Sequence, residues 1–128
     1  ISKGYPRKMR SKIRQLLLFT ILLATPVQAQ VVTPEQFWQL HQQGNPLIVD
    51  VRTNEEFIAG HLPKSVNIPF NEIDRLPSIA KDKTQPIFLY CRSGRRSGIA
   101  EEAIRQQGYL YIYNGESYEA LLEAMPHP

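Results

Sequence analysis

Residues 87–107 read IFLYCRSGRRSGIAEEAIRQQ. Ile87 to Cys91 form an unbroken apolar run too short for a helix, the composition of a strand covered on both faces. Ser97 to Gln107 carry Ile99, Ala103 and Ile104 at helical spacing, and Gly108 supplies the stop. Between the two lies a short turn rich in Arg, Ser and Gly. A buried strand feeding directly into a helix is the repeating unit of a layered α/β sheet.

The flanking chain repeats this alternation. LIVDV, 47–51, is a second buried-strand run, and Val31–Val32, Val66 to Ile68 and YLYIYN, 109–114, supply three weaker ones. Helical signals fall between them. Residues 33–44, TPEQFWQLHQQG, offer Thr33 as a cap, Pro34 in the first turn and Gly44 at the end. Residues 53–61 read as a turn or two of helix ending at Gly60, residues 71–80 have helical spacing, and SYEALLEAM, 117–125, closes the chain. The pattern predicts one α/β domain of three layers, with a central, mostly parallel five-stranded sheet and helices on both faces. Trp38 and Tyr109, Tyr111 and Tyr113 fit core and edge packing, and Glu101 and Glu102 a solvated helix face.

The overall charge of +3 and pI near 9.1 suggest a nucleic-acid partner until the charges are located. Six of the fifteen basic residues, Lys3, Arg7, Lys8, Arg10, Lys12 and Arg14, precede residue 30, with no acid among them. Residues 30–128 therefore hold nine basic against twelve acidic side chains, a net −3, and nucleic acid is not implied. The basic stretch is followed by the apolar run LLLFTILLA, 16–24, and then by TPVQAQ with Val27 and Ala29 at positions a signal peptidase reads. The apolar run falls well short of the roughly 20 residues a membrane-spanning helix needs. We expect residues 1–29, within which Met9 is a candidate start, to be a signal peptide cleaved after Ala29, the alternative being a leader retained as a membrane anchor. The mature domain is then 30–128, periplasmic and without stable membrane insertion.

Export makes the single cysteine informative, because secreted domains ordinarily carry cysteines in pairs and a leftover one suggests a reactive thiol. Cys91 sits at the carboxyl end of a strand and just before a helix, where open α/β sheets bind ligands. A helix N-terminus and nearby arginines both favour thiolate over thiol. Gly94 permits a tight turn, and Arg92, Ser93, Gly94, Arg95, Arg96 and Ser97 can direct backbone N–H groups at the sulfur as a cradle for an anion. The constellation points to a cysteine nucleophile that carries a sulfur or oxyanion group. Cysteine-dependent phosphatases place Arg six positions beyond the cysteine, where this chain has Ser97, and a His before it, where this chain has Tyr90. The loop is one residue short for phosphate. Asp50 and Arg52, two apart on a strand end, share one side of the chain and read as a supporting ion pair or loop brace.

With these residues the chain resembles a single-domain rhodanese, a thiosulfate sulfurtransferase. CRSGRRS matches the family's Cys-x-x-Gly-x-Arg pattern at Cys91, Gly94 and Arg96. VDVRTNEEFIAGHLPKSVNIP, 49–69, resembles its second signature at Asp50, Arg52, Glu56, Phe57, Gly60, His61, Asn67, Ile68 and Pro69. The similarity spans most of 33–125. Two positions depart from the pattern: Lys64-Ser65 stand where the family often has Gly-Ala, and Gly115-Glu116-Ser117 where a Gly pair commonly follows the last strand's Asn114. The resemblance implies a rhodanese-like fold and a persulfide on Cys91. It further implies a small anionic sulfur donor drawn by Arg92 and Arg96, a thiol or cyanide acceptor, and no metal or cofactor. The domain is expected to act as a monomer. The competing readings are a non-catalytic sulfur-carrier or binding module, and a phosphatase or arsenate reductase on the same scaffold.

Overall fold

The computed structural model of the protein describes residues 28–127. The expected leader, apart from its last two residues, lies outside them. Five strands, β1 (Gln28–Val31), β2 (Leu47–Asp50), β3 (Val66–Asn67), β4 (Ile87–Cys91) and β5 (Tyr111–Ser117), form one sheet in the order β1-β5-β4-β2-β3. Every pairing is parallel, so the mostly parallel sheet is in fact wholly so.

Side-chain alternation along β4 explains why both faces must be covered. Ile87, Leu89 and Cys91 enter one buried cluster with Val49, Ile73, Leu76, Ala100 and Ile104. Phe88 and Tyr90 enter the other, with Phe37, Trp38, Ile48, Leu62 and Leu121. The first face is covered by α4 (Arg95–Gln106), a 3₁₀ segment (Phe70–Arg75) and α3 (Leu76–Ile79). The second is covered by α1 (Pro34–Gln42) and α5 (Tyr118–Glu123), locked together where the Trp38 indole N–H donates to the Leu121 carbonyl at 2.8 Å. The remaining helix, α2 (Asn54–Ala59), is short and exposed apart from the half-buried Glu56 and Phe57. Thr33 and Thr53 cap α1 and α2 in reciprocal capping boxes with Gln36 and Glu56.

Four boundaries differ from the sequence expectation, the first being β1, which runs Gln28–Val31 in place of Val31–Val32. The predicted 71–80 helix is a 3₁₀ segment followed by a single α-turn, because Pro77 admits only a helix start there. β5 begins two residues later than predicted and continues to Ser117. Helix α4 begins at Arg95, not Ser97: the chain turns at Gly94, whose φ of 109° is open to glycine. Arg95, Arg96 and Ser97 therefore belong to the helix's first turn.

Among the described residues, the non-glycine residues with positive φ are Lys64 (64°) and Glu116 (65°), the two places where the chain departs from the rhodanese pattern. Gly115 is retained for a separate reason. A Cβ there would come within 2.7 Å of the Phe37 ring.

Candidate active site

Cys91 ends β4, and its side chain is buried at the floor of the turn that leads into α4. The Gly94 backbone N–H donates to its Sγ at 2.9 Å, and Sγ lies 3.3 Å from Ser97 Oγ. The Ser97 hydroxyl donates to the Gly94 carbonyl at 3.1 Å, closing the turn on itself. Burial pushes the thiol up. Hydrogen bonding to Ser97 Oγ and to the N–H groups of Ser97, Gly94 and Ser93 outweighs it, and the Cys91 pKa lies below the usual thiol value. The positive end of α4 acts in the same direction.

The remaining predicted site residues fall into three groups. Arg92, Ser93 and Arg95 are exposed, and among the described residues neither Arg92 nor Arg95 forms an ion pair. Gly94 and Ser97 build the turn. Arg96 is half-buried and points its guanidinium at Glu56, with Nη1 to Oε1 at 2.7 Å and Nη2 to Oε2 at 3.1 Å. Both ends of that fork are thus occupied, although the charge of Arg96 is still felt by Cys91. Sequence reading placed Arg96 on the incoming anion, whereas here it ties the active turn to α2. Glu56 lies 40 residues upstream of it in the chain, and no local signal links the two.

Asp50 and Arg52 form the brace that their spacing suggested. Arg52 Nη2 meets Asp50 Oδ2 at 2.6 Å, its Nε and backbone N–H also donate to the carboxylate, and Nη2 reaches the Gly60 carbonyl at 2.7 Å. The guanidinium stacks over Tyr118 with its carbon 4.3 Å from the ring centroid. Asn67 donates to the carbonyls of Asp50 and Arg52, fixing the strand end beside β4. Tyr90 points away from Cys91. Its hydroxyl accepts from the Leu62 N–H at 3.0 Å, and burial pushes the phenol up, so it remains protonated. His61 stacks on Phe57 and bonds its carbonyl.

The Glu56–Arg96 pair carries a pH signature. Hydrogen bonding from Arg96, aided by Thr53 against the opposing effect of burial, holds the Glu56 carboxyl down at about 2, below its ordinary 4.5. A depressed carboxyl contributes stability above its unfolded pKa and loses it as pH falls through the folded one. The wild-type Tm should therefore drop between about pH 4.5 and about pH 2. Glu56→Gln should lower Tm at neutral pH and flatten that acid limb. An acid limb of unchanged steepness in the variant would contradict the pairing.

Among the described residues there is no group of three or more His, Cys, Asp or Glu placed to hold a metal ion. No helix there is long and apolar enough to cross a membrane.

Residues 33–121 match the rhodanese-like domain, a span that contains both signatures and the whole active turn. The chain belongs to the rhodanese-like family. It is 33% identical over 79 residues to the thiosulfate sulfurtransferase PspE of Escherichia coli, covering 61% of this chain and 74% of that one. It is 34% identical over 67 residues to a putative sulfur carrier protein, YrkF, of Bacillus subtilis, of which it covers 36%. Among solved structures, an E. coli rhodanese with anions superposes with a TM-score of 0.59 at 32% identity, covering 63% of this chain and 94% of that one. A human single-domain sulfurtransferase shares the fold with a TM-score of 0.61 at 24% identity, covering 78% of this chain and 97% of that one. As a rhodanese-like domain, the chain falls in a sulfurtransferase family.

Proposed function

We propose that this domain is an exported, monomeric sulfurtransferase that moves sulfane sulfur from thiosulfate, or a similar small anionic donor, to cyanide or a thiol through a persulfide on Cys91. The observation that carries the reading is the Gly94 N–H at 2.9 Å from Cys91 Sγ, in a turn that lowers the thiol pKa. The thiolate attacks the outer sulfur of thiosulfate. The S–S bond of the donor breaks, and sulfite departs with its electron pair. The persulfide's negative charge is held by the N–H groups of the turn and the end of α4. A cyanide or thiolate acceptor then attacks the terminal sulfur and returns Cys91 as thiolate, which is a ping-pong scheme. Arg92 and Arg95, exposed on the turn and its helix, attract the anionic donor, and Arg96 adds its charge while holding the turn to Glu56. Asp50 and Arg52 brace the adjacent strand end.

The test is to incubate the purified protein with thiosulfate, weigh it, then add cyanide and assay thiocyanate. We expect one added sulfur that cyanide removes. Similarity to a putative sulfur carrier supports a second reading, in which the persulfide forms but small acceptors do not discharge it. No adduct at all would sink both. The basic, apolar and small-residue order of residues 1–29 supports export. N-terminal sequencing of periplasmic material, with Gln30 first, is the expected result, and recovery only from the cytoplasm would reject it.

A further inference from the structure

Glu116 carries a charge that the sulfur chemistry above does not call on. Opposite Leu89 to Cys91, β5 advances from Asn114 to Ser117, one residue more than its partner, and the extra length places Glu116 beside the active turn. Its φ of 65° is a conformation that residues bearing a Cβ seldom adopt. The conformation is held in place. The Glu116 N–H donates to Asn114 Oδ1 at 3.0 Å, and the buried Asn114 donates in turn to Glu101 on α4 at 3.2 Å. The half-buried side chain then lies over Gly94, with Oε2 2.6 Å from where a Cβ on that glycine would sit. Gly94 N is itself 2.9 Å from the sulfur, so with ordinary covalent geometry the carboxylate oxygen lies within about 8 Å of Cys91 Sγ. Among the described residues, no basic side chain pairs with Glu116.

An unpaired carboxylate closer to the sulfur than the Debye length repels incoming anions and favours cations. We propose that Glu116 sets the charge preference of the acceptor, so that the persulfide passes its sulfur faster to thiols that are neutral or bear an ammonium group than to thiols bearing a carboxylate. The proposal rests on the persulfide reading above. In the step, the acceptor thiolate bonds to the outer sulfur, the S–S bond to Cys91 breaks, its electron pair returns to Cys91 as thiolate, and the acceptor leaves as a persulfide. No oxidant is consumed. Glu116 touches the turn and not the reacting atoms, so it acts as a specificity-determining residue.

The test is single-turnover discharge of the persulfide in the full chain by cysteamine, mercaptoethanol and mercaptopropionate, with rates compared per thiolate. In Glu116→Gln, which keeps shape and removes charge, the cysteamine-to-mercaptopropionate rate ratio should fall about threefold, the size expected for unit charges at this separation in a partly aqueous setting. The mercaptoethanol thiolate, with one negative charge, should speed up by less than the mercaptopropionate dianion, and high salt should compress the wild-type ratio toward that of the variant. Glu116→Gly, which also relieves the backbone conformation, should give the same ratio. A second readout needs no sulfur transfer: the iodoacetamide-to-iodoacetate rate ratio at Cys91 should fall by a similar factor in both variants. Failure of the wild type to form a persulfide would sink the transfer reading and the acceptor assignment with it, while alkylation would still report the carboxylate's effect on the sulfur. Unchanged ratios in discharge or in alkylation would overturn the proposal.

Discussion

Cys91→Ser will take up no sulfur from thiosulfate and will yield no thiocyanate, a loss on the order of a thousandfold or more in turnover. A serine hydroxyl stays protonated where the Cys91 thiol is poised to ionise, and it cannot form the S–S bond that stores the cargo. The replacement is nearly isosteric, and its hydroxyl can accept from the Gly94 N–H as the sulfur does. Stability should therefore change by no more than about 1 kcal/mol. Intact mass after thiosulfate treatment, read beside a denaturation midpoint, separates loss of chemistry from loss of fold. Residual transfer in a folded Cys91→Ser protein would place the chemistry elsewhere.

Arg52→Ala will produce the largest loss of stability, about 3–5 kcal/mol, because it strands the fully buried Asp50 carboxylate without its partner. The same change removes the bond to the Gly60 carbonyl and the stacking on Tyr118, so the chain from Thr53 to His61 loosens at both ends. Arg52→Lys should recover little of this. An ammonium cannot present two parallel donors to the carboxylate and a third to Gly60 while lying flat on a ring. Removing both charges in Asp50→Asn with Arg52→Met should cost less than Arg52→Ala alone, since no uncompensated charge then remains buried. Urea midpoints of the three proteins decide the matter. A cost under about 1 kcal/mol for Arg52→Ala would mean that the pair is hydrated and not a brace.

The layered sheet was legible because β4 is apolar without interruption and β2 is apolar up to its terminal Asp50, signals that are local and strong. The candidate active turn was legible for the same reason, since Cys91, Gly94 and the arginines are neighbours in the chain. The start of α4 was not. Ser97 is a residue type that commonly caps helices, and here it is already inside one, because the turn is made by Gly94 and the cap N–H is directed at a sulfur. The roles of Arg96 and Glu116 were illegible for a different reason. Each depends on a residue distant in sequence, Glu56 on α2 and Gly94 in the turn after β4. A single sequence shows that a charge is present but not whether another chain segment has claimed it.

β1 has a consequence beyond filling a place in the sheet. It is an edge strand, and β5 has no other cover on that side among the described residues. Sheets defend such borders because open backbone donors and acceptors recruit strands from other molecules. Gln28 and Ala29 sit opposite Tyr111 and Ile112, while Gln30 and Val31 sit opposite Tyr113 and Asn114. A cut after Ala29 would leave only the second half of this guard, uncovering the start of β5 at Tyr111 and Ile112. Amide exchange at those two positions would show how much of the border survives maturation. The site where a leader is trimmed would then also set the margin between a closed sheet and a self-associating one.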